Sequence, residues 1–189
     1  KESPEGQVRW IYGSDIKLEN TSPEAVTQFV QEIVPVLGLE SRDLGPMTDI
    51  VGGGPSVPTD HGTRIYSFEQ KFKGYDVVGG GIRVGVDLGA QTIFSIQVGK
   101  PIAPDAVLNT QHASFESIKK KVENSTHLAL IQPVSKDPKV LVLPQKPPQL
   151  VFVLSESPSP LDKGPKAKVI YVDSQSGKVV HEHLAGYVD

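Results

Sequence analysis

Three alternating apolar segments in close succession constrain this chain more than anything else in it. In Tyr66–Gly99, YSFEQKFKGYDVVGGGIRVGVDLGAQTIFSIQVG, Phe68, Gln70 and Phe72 share one parity, a turn follows at Gly74, and a second strand opens at Asp76–Gly79. Ile82, Val84, Val86 and Leu88 alternate next, and then Phe94, Ile96 and Val98. Strand side chains alternate between faces, so period two broken by glycine turns reads as an antiparallel meander. Arg83, Gly85 and Asp87 hold the other parity, which leaves one apolar sheet face to be covered.

A helix upstream can cover it. Ser22-Pro23-Glu24 combines an N-cap serine, a proline at the first helical position and an acid in the first turn. Val26, Phe29, Val30, Ile33, Val34 and Leu37 then recur at helical spacing. Pro35 removes an amide donor and Gly38 supplies a stop, so the helix is expected over 23–34, reaching at most 37. Before it, Val8, Trp10 and Tyr12 suggest a short first strand. Within 41–62, Gly52-Gly53-Gly54-Pro55, Pro58 and Asp60-His61-Gly62 read as loop. No G-x-x-x-x-G-K-[ST] cradle is present, and Gly79-Gly80-Gly81 lacks the spacing of a dinucleotide fingerprint. Between two strand patterns, such glycines mark a bulge or bend.

The pattern then repeats. It lapses around 100–110, where Pro101 and Pro104 mark a boundary, and resumes with a helix from N-cap Ser114 to about Asn124. Phe115, Ile118 and Val122 lie on one face of that helix. Strands are expected at Val140–Leu143, Leu150–Leu154, Lys168–Val172 and Lys178–Ala185. Asp173-Ser174-Gln175-Ser176-Gly177 has the residues of a hairpin loop. Prolines 144, 147, 148, 158, 160 and 165 punctuate the preceding connections and guard sheet edges. The expected fold is α+β in two halves, 1–103 and 104–189, each an antiparallel sheet covered on one face by one helix.

Composition narrows the functional classes. A net charge of −3 with dispersed Lys and Arg offers no surface for a nucleic-acid backbone. The one dense cationic run, Lys119–Lys121, reads as a solvated helix face. No cysteine occurs, which excludes disulfides, thiolate metal sites and a cysteine nucleophile. No apolar run approaches the ~18–20 residues of a membrane span. Because the sequence starts at Lys1 without a methionine, it is expected to be a processed or engineered fragment.

The order Phe68, Gln70, Phe72, Gly74, Val77, Gly79 resembles the FxQxYxGxxVxG pattern of the fungalysin/thermolysin propeptide domain. Tyr171, Val172, Asp173, Gly177 and Val179 resemble the YVDxxxGxV closing hairpin of the PepSY module. Together the two cover about residues 8–185, in the order found in thermolysin-like protease precursors. Asp76-Val77-Val78 departs from the usual VPV, and Ser157–Pro165 is a proline-rich insert. The resemblance implies two cystatin-like halves and a non-catalytic propeptide, an intramolecular chaperone and inhibitor whose partner is the cognate zinc metalloprotease catalytic domain. It implies no cofactor, a secreted or periplasmic location, and neither membrane nor nucleic acid as partner. A free-standing secreted inhibitor or interaction module is the alternative, and an envelope-associated binding domain a third reading. The residues expected to meet the protease are Gln70 and the terminal segment Leu184, Ala185, Gly186, Tyr187, Val188 and Asp189. The last six would extend along the active-site cleft by strand addition.

The residues themselves offer little catalytic chemistry. His181-Glu182-His183 is not H-E-x-x-H, because Ala185 stands at the fifth position. On a strand, His181 and His183 share a face and could supply two metal ligands. A third would have to come from His61, His112, His127 or an acid, and no spacing designates one, so a surface pair with tag-like affinity is expected rather than a resident metal. No G-x-S-x-G occurs, and the acids Asp173 and Glu182 are accounted for by a hairpin. By its parity Gln70 reads as a buried amide satisfied by backbone or water, and the protease contact implied by the resemblance is its functional alternative. Asn20-Thr21-Ser22 and Asn124-Ser125-Thr126 match glycosylation sequons but also read as helix-edge capping segments.

Overall fold

The computed structural model describes residues 10–50, 62–100, 102–103, 105–125, 131–134, 138–156 and 168–184. The chain divides into two compact units, Lys1–Ala103 and Pro104–Asp189. Each is built of α and β elements, and among the described residues the strand pairing is all antiparallel.

The first unit holds β1 (Trp10–Lys17), α1 (Pro23–Ile33), β2 (Leu44–Ile50), β3 (Thr63–Phe72), β4 (Tyr75–Asp76), β5 (Ile82–Asp87) and β6 (Thr92–Val98). Its sheet runs β1-β6-β5-β3-β2, with β4 also on β3. The helix begins as expected: Ser22 Oγ accepts from the Ala25 amide at 3.2 Å and Pro23 opens the first turn. Asn20 Oδ1 in turn accepts from the Ser22 amide at 3.0 Å. A short 3-10 turn, Val34–Leu37, closes the helix against Gly38, whose φ of 74° only glycine adopts cheaply. Val26, Val30 and Val34 pack onto Tyr66, Phe68, Ile82, Val84 and Val86, so one helix covers one sheet face. The buried Tyr66 phenol donates to the Thr21 carbonyl at 3.1 Å.

Two details of this unit depart from the sequence reading. β2 falls inside the stretch read only for its loop signals; Gly45 and Pro46 obscured it, and they sit where its register with β3 shifts, between Leu44 and Met47. Proline is tolerated there because β2 is an edge strand. Phe94, expected on the core parity with Ile96 and Val98, is only half-buried, whereas Ile93 is buried. A register shift opposite Gly85/Val86 makes Phe94 an extra residue on β6, which turns its ring over Gly85.

The second unit holds α2 (Phe115–Ser125), β7 (Ile131–Pro133), β8 (Leu141–Leu143), β9 (Gln149–Glu156), β10 (Lys168–Asp173) and β11 (Val179–Leu184). The strands run β11-β10-β9-β7, with β8 also on β9. β7 pairs with Leu154–Glu156 and β8 with Gln149–Val151, so the two short strands share one side of β9 end to end. β7, three residues long, carries too little alternation to be read from sequence. Ile118 and Val122 of α2 pack on Phe152, Leu154, Ile170 and Val172. Phe115 adds an edge-to-face contact with Phe152, centroids 5.3 Å apart.

Candidate functional site

The hairpin loop joining β10 to β11 carries a connected polar network. Asp173 Oδ1 accepts from the Ser176 hydroxyl at 2.6 Å, the Ser176 amide at 2.7 Å and the Gln175 amide at 3.3 Å. Its Oδ2 accepts from Gln149 Nε2 at 2.6 Å, and Gln149 Oε1 accepts from Gln145 Nε2, also at 2.6 Å. Partial burial pushes the carboxyl up, but the donors from Ser176, Gln149 and Gln175 outweigh it and hold Asp173 below its ordinary 3.8. Gly177, at φ 76°, completes the turn, and Lys121 of α2 donates to the Gln175 carbonyl at 2.8 Å. One member of the expected Lys119–Lys121 solvated face is thus tied down by the loop.

This network floors a cleft of about 460 Å³ in the second unit, lined also by Asn109, Gln111, Pro148 and Ser174. The volume falls within the range of small-ligand clefts. Five carboxamides and one ionised carboxylate make it a hydrogen-bonding surface rather than a nucleophilic one. Ser174 is 1 % exposed, and its Oγ has no hydrogen-bond partner among the described residues. Sequence reasoning took Asp173 and Ser174 as loop residues and missed the cleft. Its other walls come from segments 107–111 and 145–150, and only tertiary contact brings these together.

The residues singled out from sequence are distributed as follows. Gln70 lies on the buried face of β3 between Phe68 and Phe72, 1 % exposed. Its Oε1 has no partner among the described residues, where a satisfied amide was expected. The Gly79–Gly81 bend passes directly over it: a Cβ on Gly81 would overlap the Phe68 carbonyl, and one on Gly80 would come within 3.0 Å of Gln70 Cβ. Leu184 is the last residue of β11, paired with Lys168. Ala185, Gly186, Tyr187, Val188 and Asp189 lie outside the described residues, as do His61 and His127.

Asp173 and Glu182 do not form a pair; Glu182 meets Lys168 Nζ at 3.4 Å instead. His181 and His183 do share a face of β11, with ring centroids 5.9 Å apart. Among the described residues no group of three or more His, Cys, Asp or Glu side chains is placed to hold a metal ion. Nor is any helix among them long and apolar enough to cross a membrane.

No family model matches the chain, and no curated protein matches it. Among solved structures it is similar to the YpeB C-terminal domain of Bacillus megaterium, with 12% sequence identity and a TM-score of 0.40. The match covers 94% of this chain and 72% of that one. At that identity and score it assigns neither family nor function.

Proposed function

We propose that this chain is a non-catalytic protease-partner module, the propeptide region of a thermolysin-like zinc metalloprotease. In this reading residues 1–103 are the fungalysin/thermolysin-propeptide-like unit and 104–189 the PepSY-like unit. The observation that carries the proposal is that both resembled motifs fall on positions that determine their unit's shape. Phe68 and Phe72 are buried on one strand face, Gly74 takes a φ of 87° in the turn, Val77 is buried, and Gly79 takes a φ of 61°. In the second unit Tyr171 and Val172 are buried, Asp173 caps the hairpin loop, and Gly177 turns it.

The mechanism follows from linkage. A preformed sheet that binds the native-like catalytic domain, and not its unfolded chain, shifts that folding equilibrium by mass action. Affinity comes from the folded units, and the segment Leu184–Asp189 blocks the cleft by strand addition. Gln70, being buried beneath the Gly79–Gly81 bend, acts in this reading as a support for the bend rather than as a direct contact. The precursor carrying such a region is exported, so the proposed location is secreted or periplasmic.

Co-refolding a denatured thermolysin-like catalytic domain with and without the chain tests this reading. The expected outcome is higher recovered activity with the chain, followed by inhibition of the mature enzyme that weakens when 184–189 are deleted. Inhibition without any folding assistance would instead favour a free-standing inhibitor. No binding to the enzyme encoded beside or downstream of this sequence would overturn both.

A further inference from the structure

The face of β10 and β11 turned away from α2 carries an arrangement that the proposed protease interaction does not use. Tyr171 of β10 is 7 % exposed and lies against two imidazoles, His181 at 5.4 Å and His183 at 5.6 Å between ring centroids. In a regular strand Val179 would share the face of both histidines. Here β11 pairs Val172 with Val179 but Tyr171 with His181, so Val180 is an extra residue. That irregularity lets Val179 pack in the core with Val172 while His181 and His183 stand beside Tyr171 on the opposite face. β11 is also an edge strand; His181 is exposed and His183 half-exposed.

We propose that His181 and His183 form an open bidentate site for a divalent transition-metal ion, Cu²⁺ foremost. Two imidazoles sharing one ion at the ~2.0–2.1 Å metal–nitrogen distance place their ring centroids roughly 4.5 Å apart at a right angle and roughly 5.2 Å apart at a tetrahedral one. The observed 5.9 Å is somewhat wider, so chelation turns the two rings toward each other about their side-chain torsions. The Tyr171 ring holds both imidazoles, so part of the ordering cost of chelation is already met by packing. With no third His, Cys, Asp or Glu joining among the described residues, water fills the remaining positions. Imidazole nitrogen suits Cu²⁺, Ni²⁺ and Zn²⁺, and the order of stability places Cu²⁺ first; Mg²⁺, which takes oxygen ligands, is excluded.

The test is calorimetric titration of the untagged chain with Cu²⁺, Ni²⁺, Zn²⁺ and Mg²⁺, with electron paramagnetic resonance of the Cu²⁺ complex to count nitrogen ligands. The expected result is one Cu²⁺ per chain with two imidazole nitrogens, weaker Ni²⁺ and Zn²⁺ binding, and none for Mg²⁺. His181→Gln and His183→Gln should each weaken Cu²⁺ binding by about tenfold or more, and the double variant should lose the site. Tyr171→Phe, and joint replacement of His61, His112 and His127 by Gln, should leave it in place. Circular dichroism checks that each variant folds. Absence of Cu²⁺ binding, a single coordinating nitrogen, or undiminished binding by the folded double variant would each overturn the proposal.

Discussion

The two units solve one problem, an antiparallel sheet covered on one face by one helix, with different chemistry at their turns. The first relies on missing side chains. Its Gly79–Gly81 bend lies so close to β3 that a methyl group at Gly81 has nowhere to go, and Gly99 meets the same bend from β6. The second relies on polar bonds: the Asp173 carboxylate gathers three donors from its own loop and a fourth from Gln149. Steric exclusion is all-or-none, whereas a hydrogen-bond network can lose members one at a time. The first unit should therefore tolerate change at its turn far less than the second.

Gly81→Ala is the most direct attempt to break that contrast. Its φ of 106° and the overlap with the Phe68 carbonyl should cost about 4 kcal/mol or more, read as a loss of urea stability reported by the single tryptophan, Trp10. A loss below about 1 kcal/mol would mean that the bend can relax and that the contrast is false. Leu154→Ala probes the core of the second unit, where the side chain is fully buried, and should cost about 2–4 kcal/mol by circular dichroism melts in urea. That would place core loss in the second unit above turn loss in the same unit.

Asp173→Ala should cost only about 1 kcal/mol at neutral pH, since the carboxylate is only partly buried and solvent screens it. Its sign with pH is fixed. The folded-state value lies below the ordinary 3.8, so the carboxylate's contribution is fully present above 3.8 and fades as pH falls through the folded value. Unfolding curves of parent and variant measured from pH 7 down to pH 2 should therefore converge at the acid end. Divergence there would contradict the hydrogen-bond account. The smallest effects compare the two helix caps. Ser22→Ala, which removes a 3.2 Å bond at a half-buried site, should cost about 1 kcal/mol, and Ser114→Ala, which removes an exposed 3.3 Å bond, about half that. Equal losses on thermal melting would remove any distinction between the caps.

Much of the architecture was legible because local rules and tertiary demand agree. Ser22-Pro23 and Gly38 bound α1, the period-two run from Ile82 sets the core face of β5, and Asp173 with Gly177 marks the last hairpin. The misreadings occurred where one extra residue changes parity. Phe94 is turned out of the core by a bulge that no local signal at that position announces. Edge strands were the other weak point: β2 was hidden by Gly45-Pro46, and β7 was too short to show a period. Of the expected contact residues, Gln70 was read correctly as core-facing, but its unpartnered Oε1 was not foreseen.

The sequence by itself determined which residues must be hidden and where the chain must turn, because alternation, caps and glycine φ preferences act over a few neighbouring residues. Tertiary structure alone decided which distant segments meet. The cleft over Asp173 joins segments 107–111 and 145–150 to the hairpin loop, and their convergence depends on strand order. The same holds for the His181–Tyr171–His183 face. Spacing put the two imidazoles on one side of a strand, but the cross-strand register and the extra Val180 placed Tyr171 against both while Val179 turned into the core. Register is a property of two strands at once, set by which pairing buries the most apolar surface, and one strand's sequence does not contain it.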